Sequence, residues 1–314
     1  MDRFRTRLRS QASLLIVVVA TVAGVAVPSL AAPLEPLVPV FVGGLLFTAF
    51  YGFSVATLAV RDVSMLVVVS IVCLYLLVPV ALSPVAAAVL SGELLLGALI
   101  VLSAPLAAGS SIVWTRLGGG NTVLATVIVL VSMLLAPLAM PTLLTRLAGS
   151  AVDVAVADLV VDLAVVVAGG GLLAALVPDG VVTDRQQDRF SLLALGALIY
   201  VGVGGSSLAV DGVQLAFVGV IAVAALGLSA GIAYALYARG TRSDDCVTVL
   251  FSSSMKNLSV SVMVGTVFGG GAIIASITVF HVVQQLVSSA LVNRLSAVTE
   301  TQSVDRVPAT PPGD

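Results

Sequence analysis

Long apolar blocks alternate with short polar breaks along the chain. The blocks run over approximately 12–32, 37–59, 64–83, 86–117, 121–145, 153–177, 190–209, 212–238, 245–268 and 272–293. Each is near or beyond the ~20 residues that a spanning helix needs, so the pattern predicts ten transmembrane helices. The first block follows Arg3, Arg5, Arg7 and Arg9 and contains Ser29-Leu30-Ala31-Ala32, as a signal peptide would. It is longer than the ~7–15 residues of a signal h-region and more blocks follow, so it reads as a first helix. The fourth and ninth blocks are different in kind, because small polar residues interrupt them.

In the fourth block the interruption is Ser103-Ala104-Pro105-Leu106-Ala107-Ala108-Gly109-Ser110-Ser111, followed by a short helix and Gly118-Gly119-Gly120. In the ninth it is Ser252-Ser253-Ser254-Met255-Lys256-Asn257, followed by a short helix and Gly269-Gly270-Gly271. The two lie at matching places in two five-span halves, residues 12–149 and 150–295. An odd number of spans per half reverses the second half in the membrane, the inverted-repeat arrangement of many secondary transporters. Matched broken helices point to a mid-membrane binding site, because half-helix N-termini present free N–H groups and partial positive charge to anions. The plainer alternative is a pair of kinked core helices whose serines and glycines only pack closely. Outside the spans, residues 1–11 read as a cytoplasmic N-terminus and residues 296–314 as a polar, disordered cytoplasmic tail.

Composition agrees with a polytopic all-α membrane protein. Of 314 residues 59% are hydrophobic and 10% charged, with mean hydropathy +1.19; soluble domains carry roughly 25% charged residues. The net charge of −2 identifies no partner. Placing the N-terminus inside puts twelve arginines on the cytoplasmic side and leaves Arg146 alone on the other. That asymmetry predicts a cell-membrane protein with both termini in the cytoplasm. Cys73 and Cys246 sit in separate apolar contexts and suggest neither a disulfide framework nor a metal site. No metal cluster, nucleophile–base pair or phosphate loop stands out, which argues against an enzyme and against a bound cofactor.

Lys256 is the chain's only lysine, and a cation at bilayer depth normally faces a cavity or a partner. Its plainer role is to snorkel, or to pair with Glu93, Asp158 or Asp162. Glu93 is expected near the outer end of the fourth span. Asp158 and Asp162 share one helix face at i,i+4 spacing, and either position suits proton movement. His281, the only histidine, reads as a hydrogen-bonded core residue rather than a relay member.

These features together resemble the bile acid:sodium symporter superfamily, ten-helix transporters whose fourth and ninth helices are broken and cross. The resemblance covers nearly all of residues 12–295. It rests on Glu93-x3-Gly97 with Pro105 and Gly109-Ser110-Ser111, on Ser132-Met133-Leu134-Leu135-Ala136-Pro137 with Pro141, and on Ser252 to Asn257. It implies a panel and a core domain, and cavity-lining roles for Gln284 and Gln285. It also shows the sodium-site positions replaced, by Ser111, Ala125, Val129, Leu74, Ser252 and Lys256, with Ser110 and Asn257 as polar carry-overs. Sodium needs several oxygen ligands, and an ammonium in place of a carboxylate repels a second cation.

The expectation is a secondary transporter moving a small organic anion by alternating access, with Lys256 in the place of a coupling cation. Substrate-site candidates are Ala108, Gly109, Ser110, Ser111, Lys256, Asn257, Gln284 and Gln285. Coupling candidates are Ser252, Lys256, Glu93 and Asp162. The partners expected are the anion and the lipid bilayer, with no nucleic acid. A channel also lines its pore with broken helices, and an auxin-carrier-like efflux permease is a distant topological alternative. An arsenite efflux carrier is expected to carry a cysteine in its broken fourth helix, where this chain has Ser103 and Ala104.

Overall fold

The computed structural model describes residues 15–16, 18–51, 64–149, 156–204, 211–268 and 271–304. All regular structure there is helical: α1 at residues 18–26, α2 Ala31–Leu34, α3 Val38–Phe50, α4 Ser64–Val72, α5 Val78–Val89, α6 Gly92–Ser103 and α7 Ala108–Leu117. There follow α8 Thr122–Ala148, α9 Val156–Leu176, α10 Asp184–Gly204, α11 Gly212–Ala238, α12 Ser243–Ser254, α13 Leu258–Phe268 and α14 Gly271–Val304.

Proline sets several of the joints. Pro28, Pro33, Pro36 and Pro39 recur through the approach to α3, where 3-10 turns at Pro28–Leu30 and Glu35–Leu37 flank α2. Proline is tolerated in such first turns because those N–H groups have no helical acceptor. The polar break expected between the first two blocks is therefore bridged by helical turns. A single π turn, Cys73–Leu77, joins α4 to α5. α5 runs on through Pro84 to Val89, beyond the expected end near 83, and stops where Leu90 turns extended and Gly92 takes φ +55.

Among the described residues, five segments are individually long and apolar enough to cross a membrane: Pro28–Phe50, Met65–Val89, Thr122–Ala148, Gly212–Ala238 and Gly271–Val292. The broken helices fall short singly, since α6, α7, α12 and α13 have 10 to 12 residues each. The expected half boundary at 149/150 abuts residues outside the described set. Residues 296–304, expected in a disordered tail, continue α14 as helix, and residues 305–314 lie outside the described residues.

Polarity runs inside out. Met65, Leu134, Leu138, Leu172 and Leu193 are exposed, while Ser111, Ser132, Ser252, Lys256, Asn257, Gln284 and Gln285 are buried. An apolar surface around a polar interior is what a hydrocarbon solvent requires. One group of helices packs α3 against α9 and α10; a second packs α14 against α6 and α11, and α11 also against α5 and α12. Close approach in the second group depends on Gly97, where a Cβ would lie 2.6 Å from the Ile273 carbonyl oxygen.

Candidate functional site

The two interruptions meet. α6 ends at Ser103 and α7 begins at Ala108; α12 ends at Ser254 and α13 begins at Leu258. The extended residues between them pair antiparallel at Leu106 and Lys256. The Ala107 N–H donates to the Met255 carbonyl (2.9 Å) and the Asn257 N–H to the Pro105 carbonyl (2.9 Å). Each break thus supplies the partners that the other's orphaned backbone groups need inside an apolar medium.

Side chains complete the crossing. Asn257 donates from its amide nitrogen to the Leu106 carbonyl (3.2 Å), and its amide oxygen accepts the Val260 N–H (3.1 Å), capping α13. The Leu106 N–H donates to Ser132 Oγ (3.3 Å), whose own proton goes to the Val129 carbonyl. Gln284 accepts the Lys256 N–H at Oε1 (3.1 Å) and so serves the break itself. At the loop after α7, Asn121 bonds Thr248 and Asp245, fixing that loop on the start of α12.

Lys256 is the centre of the arrangement. Its side chain is 1% exposed, and Nζ donates to the carbonyls of Leu74 (2.9 Å), Leu102 (2.7 Å) and Ala104 (3.3 Å). An ammonium has three protons, and all three are used. The sequence explains why these carbonyls are free. In the π turn the Val78 N–H bonds the Cys73 carbonyl, and the next residue, Pro79, has no N–H to give Leu74. Pro105 likewise has none, and the Leu106 N–H is taken by Ser132, which leaves the Leu102 carbonyl open.

The alternative of Lys256 pairing with Glu93, Asp158 or Asp162 is replaced by this carbonyl cradle. Glu93 is exposed in the first turn of α6, and Asp158 and Asp162 are exposed on α9. They are not brought to the crossing. The sequence gives spacing along a helix but not which way its face turns.

The remaining candidates form two contacts across the half-helices. Ser111 Oγ and Ser252 Oγ share a hydrogen bond (3.2 Å). Gln285 Nε2 donates to Ser110 Oγ (2.9 Å), while its Oε1 accepts the indole N–H of Trp114 (2.6 Å). Trp114, Pro79 and the Leu74 carbonyl were not singled out as site groups. Pro79 and Pro105 were the readable signal, each removing a donor beside a helix break.

α7 starts without a side-chain cap, since Ala107 at its N-cap carries no acceptor. Gly109 in its first turn is exposed, and a Cβ there would meet nothing within 4 Å. Ala108 and Ser111 beside it are buried. Between α6, α13 and α14 lies a narrow cleft bordered by Lys256, Leu258, Ser261, His281 and Gln284. No part of it admits a water-sized sphere. Among the described residues no three His, Cys, Asp or Glu side chains gather as a metal-binding group.

Apolar outer surfaces, polar side chains gathered at a buried crossing and two broken helices joined through their backbones are the features of a multi-pass membrane protein. The chain belongs to the SBF-like CPA transporter family, related to the bile acid:sodium symporters, whose family model matches residues 11–297. Among curated proteins none matches it.

Proposed function

We propose that this protein is a secondary transporter for a small organic anion, working by alternating access in the cell membrane without sodium. The observation that carries the sodium part is the Lys256 ammonium, enclosed by three carbonyl oxygens beside the crossing. Backbone carbonyls at unwound segments and half-helix C-termini are the ligands transporters offer to coupling cations. Here a covalently attached cation takes them permanently, and with the amine in place a second cation would be repelled.

Anion preference follows from what remains unpaired. The uncapped N-terminus of α7, with Ala108, Gly109 and Ser110, presents donors and partial positive charge on an open face. The closed cleft fits a state in which substrate access is shut.

Two inverted five-helix repeats, forming a panel and a core, are part of this reading. Part of the packing supports it, because three contacts have a counterpart when the halves are exchanged: α6 with α14 and α12 with α8, α7 with α8 and α13 with α14, α5 with α6 and α11 with α12, whereas the α11–α14 and α6–α8 contacts have none of comparable extent. Counting α2–α3, α4–α5, α6–α7 and α12–α13 as one span each gives ten spans, with both termini cytoplasmic by the arginine distribution.

A thermal-shift screen of organic anions and cations on the purified protein tests the substrate class, since a ligand bound to the fold stabilises it by mass action. Stabilisation by small carboxylates is expected. Stabilisation by cations alone would overturn the anion assignment.

A further inference from the structure

His281 holds a fixed tautomer. Trp114 Nε1 is a donor only, so the Gln285 atom 2.6 Å from it must be the carbonyl oxygen. The other end of that amide is therefore the NH₂ group. One of its protons goes to Ser110 Oγ (2.9 Å) and the other faces His281 Nε2 at 3.2 Å. Nε2 must then accept, and a neutral imidazole that accepts at Nε2 carries its proton on Nδ1. Nδ1 is buried and has no partner among the described residues.

This N–H belongs to a ring that is 6% exposed and that borders the cleft between α6, α13 and α14. The first turn of α13, through Leu258 and Ser261, borders the same cleft, and that helix end carries partial positive charge. Lys256 lines it too, with all three ammonium protons already committed to carbonyls. A buried donor without an acceptor is unfavourable and calls for an explanation, of which a ligand bound in another state is one. Every polar contact arranged here converges on leaving that one donor free.

We infer that His281 is a substrate-contacting residue, its Nδ1–H receiving a carboxylate oxygen of the transported anion at the N-terminal end of α13 when the cleft opens. The inference rests on the anion-transport reading above. Trp114 and Gln285 are then positioning residues, which hold the imidazole in the one tautomer that leaves a donor free on the ring bordering the cleft.

Because the chain has a single histidine, ¹⁵N-histidine labelling of the full-length protein in nanodiscs yields one pair of ring nitrogens. NMR of that pair reads the tautomer directly and needs no variant. The proton is expected on Nδ1, and finding it on Nε2 overturns the inference. Pyruvate, succinate and benzoate are then added, with thermal unfolding followed in parallel. A carboxylate that stabilises the protein is expected to shift Nδ1. His281→Asn, which keeps a donor near Nδ1, should bind it within about twofold of wild type, and His281→Gln, which keeps only the contact to Gln285, about tenfold more weakly. Stabilisation without movement of Nδ1 rejects His281 as a contact and leaves anion transport standing. Stabilisation by none of the three rejects the anion reading, and this inference with it.

Discussion

Replacing Lys256 with alanine empties the carbonyl cradle without touching the backbone that forms it. The Leu74, Leu102 and Ala104 carbonyls then lose their donor at 2.7–3.3 Å. A buried acceptor left unsatisfied costs about 1–3 kcal/mol, so three cost roughly 3–9 kcal/mol before relaxation. Against this, the variant no longer desolvates an ammonium, a term of several kcal/mol for a buried ion. The balance is a net loss of about 1–4 kcal/mol, a downward shift in thermal midpoint on the order of 5 °C. The distinguishing outcome is rescue. A vacated cage of three carbonyls should accept sodium or n-butylammonium, and at a hundred times Kd such a ligand restores about 2.7 kcal/mol. Thermal unfolding of wild type and Lys256→Ala in sodium, choline and n-butylammonium chlorides measures both effects. The variant is expected to gain midpoint with sodium or n-butylammonium while wild type responds to neither. A variant as stable as wild type, indifferent to all three salts, would refute the claim that the cradle is a cation site.

Other outcomes follow from single contacts. Gly97→Val drives a side chain into the Ile273 carbonyl and the Ser276 side chain of α14, and should destabilise the protein by about 1–3 kcal/mol in thermal unfolding; an unchanged midpoint would show that α6 and α14 do not pack this closely. Asp211 caps α11 by accepting the Val213 and Gln214 N–H groups, bonds that hold its carboxyl below the ordinary carboxylate range. A depressed carboxylate stabilises the folded state above the unfolded pKa, and that contribution is lost as pH falls through the folded one. Asp211→Ala should therefore lower the protection of the Val213 and Gln214 amides, measured against their intrinsic exchange rates, near neutral pH, and acidification of wild type should lower that protection likewise; equal protection in variant and wild type would remove the cap from the account.

Much of the fold was legible because membrane helices are written in hydropathy, and the breaks showed as polar residues where apolar ones were due. Ser103 to Ser111 and Ser252 to Asn257 stood out by spacing as matched breaks, and their crossing was what the family resemblance implied. The cradle was not legible in the same way. Its ligands are main-chain carbonyls, which every residue carries, and only Pro79 and Pro105 hint at which of them lack a donor. Glu93 and Asp162 were drawn toward the site by their charge, yet their helices turn those side chains outward, a rotation fixed by tertiary packing and not by i,i+4 spacing. Gln285 was expected to line the cavity; its bond to Trp114, 171 positions away, is one that no local pattern announces. The helical continuation to Val304 was missed because a polar tail reads as disorder from composition, whereas helix propagation past the membrane adds one backbone bond for each residue fixed.

Uptake of a stabilising carboxylate into proteoliposomes, with external sodium replaced by choline, tests the central claim most directly when wild type is run beside Lys256→Gln and Lys256→Ala. Undiminished wild-type uptake in choline, with uptake by both variants reduced or newly dependent on sodium, is the predicted result. Loss of wild-type uptake on sodium removal, with both variants transporting like wild type, would contradict it and leave Lys256 as a structural residue alone.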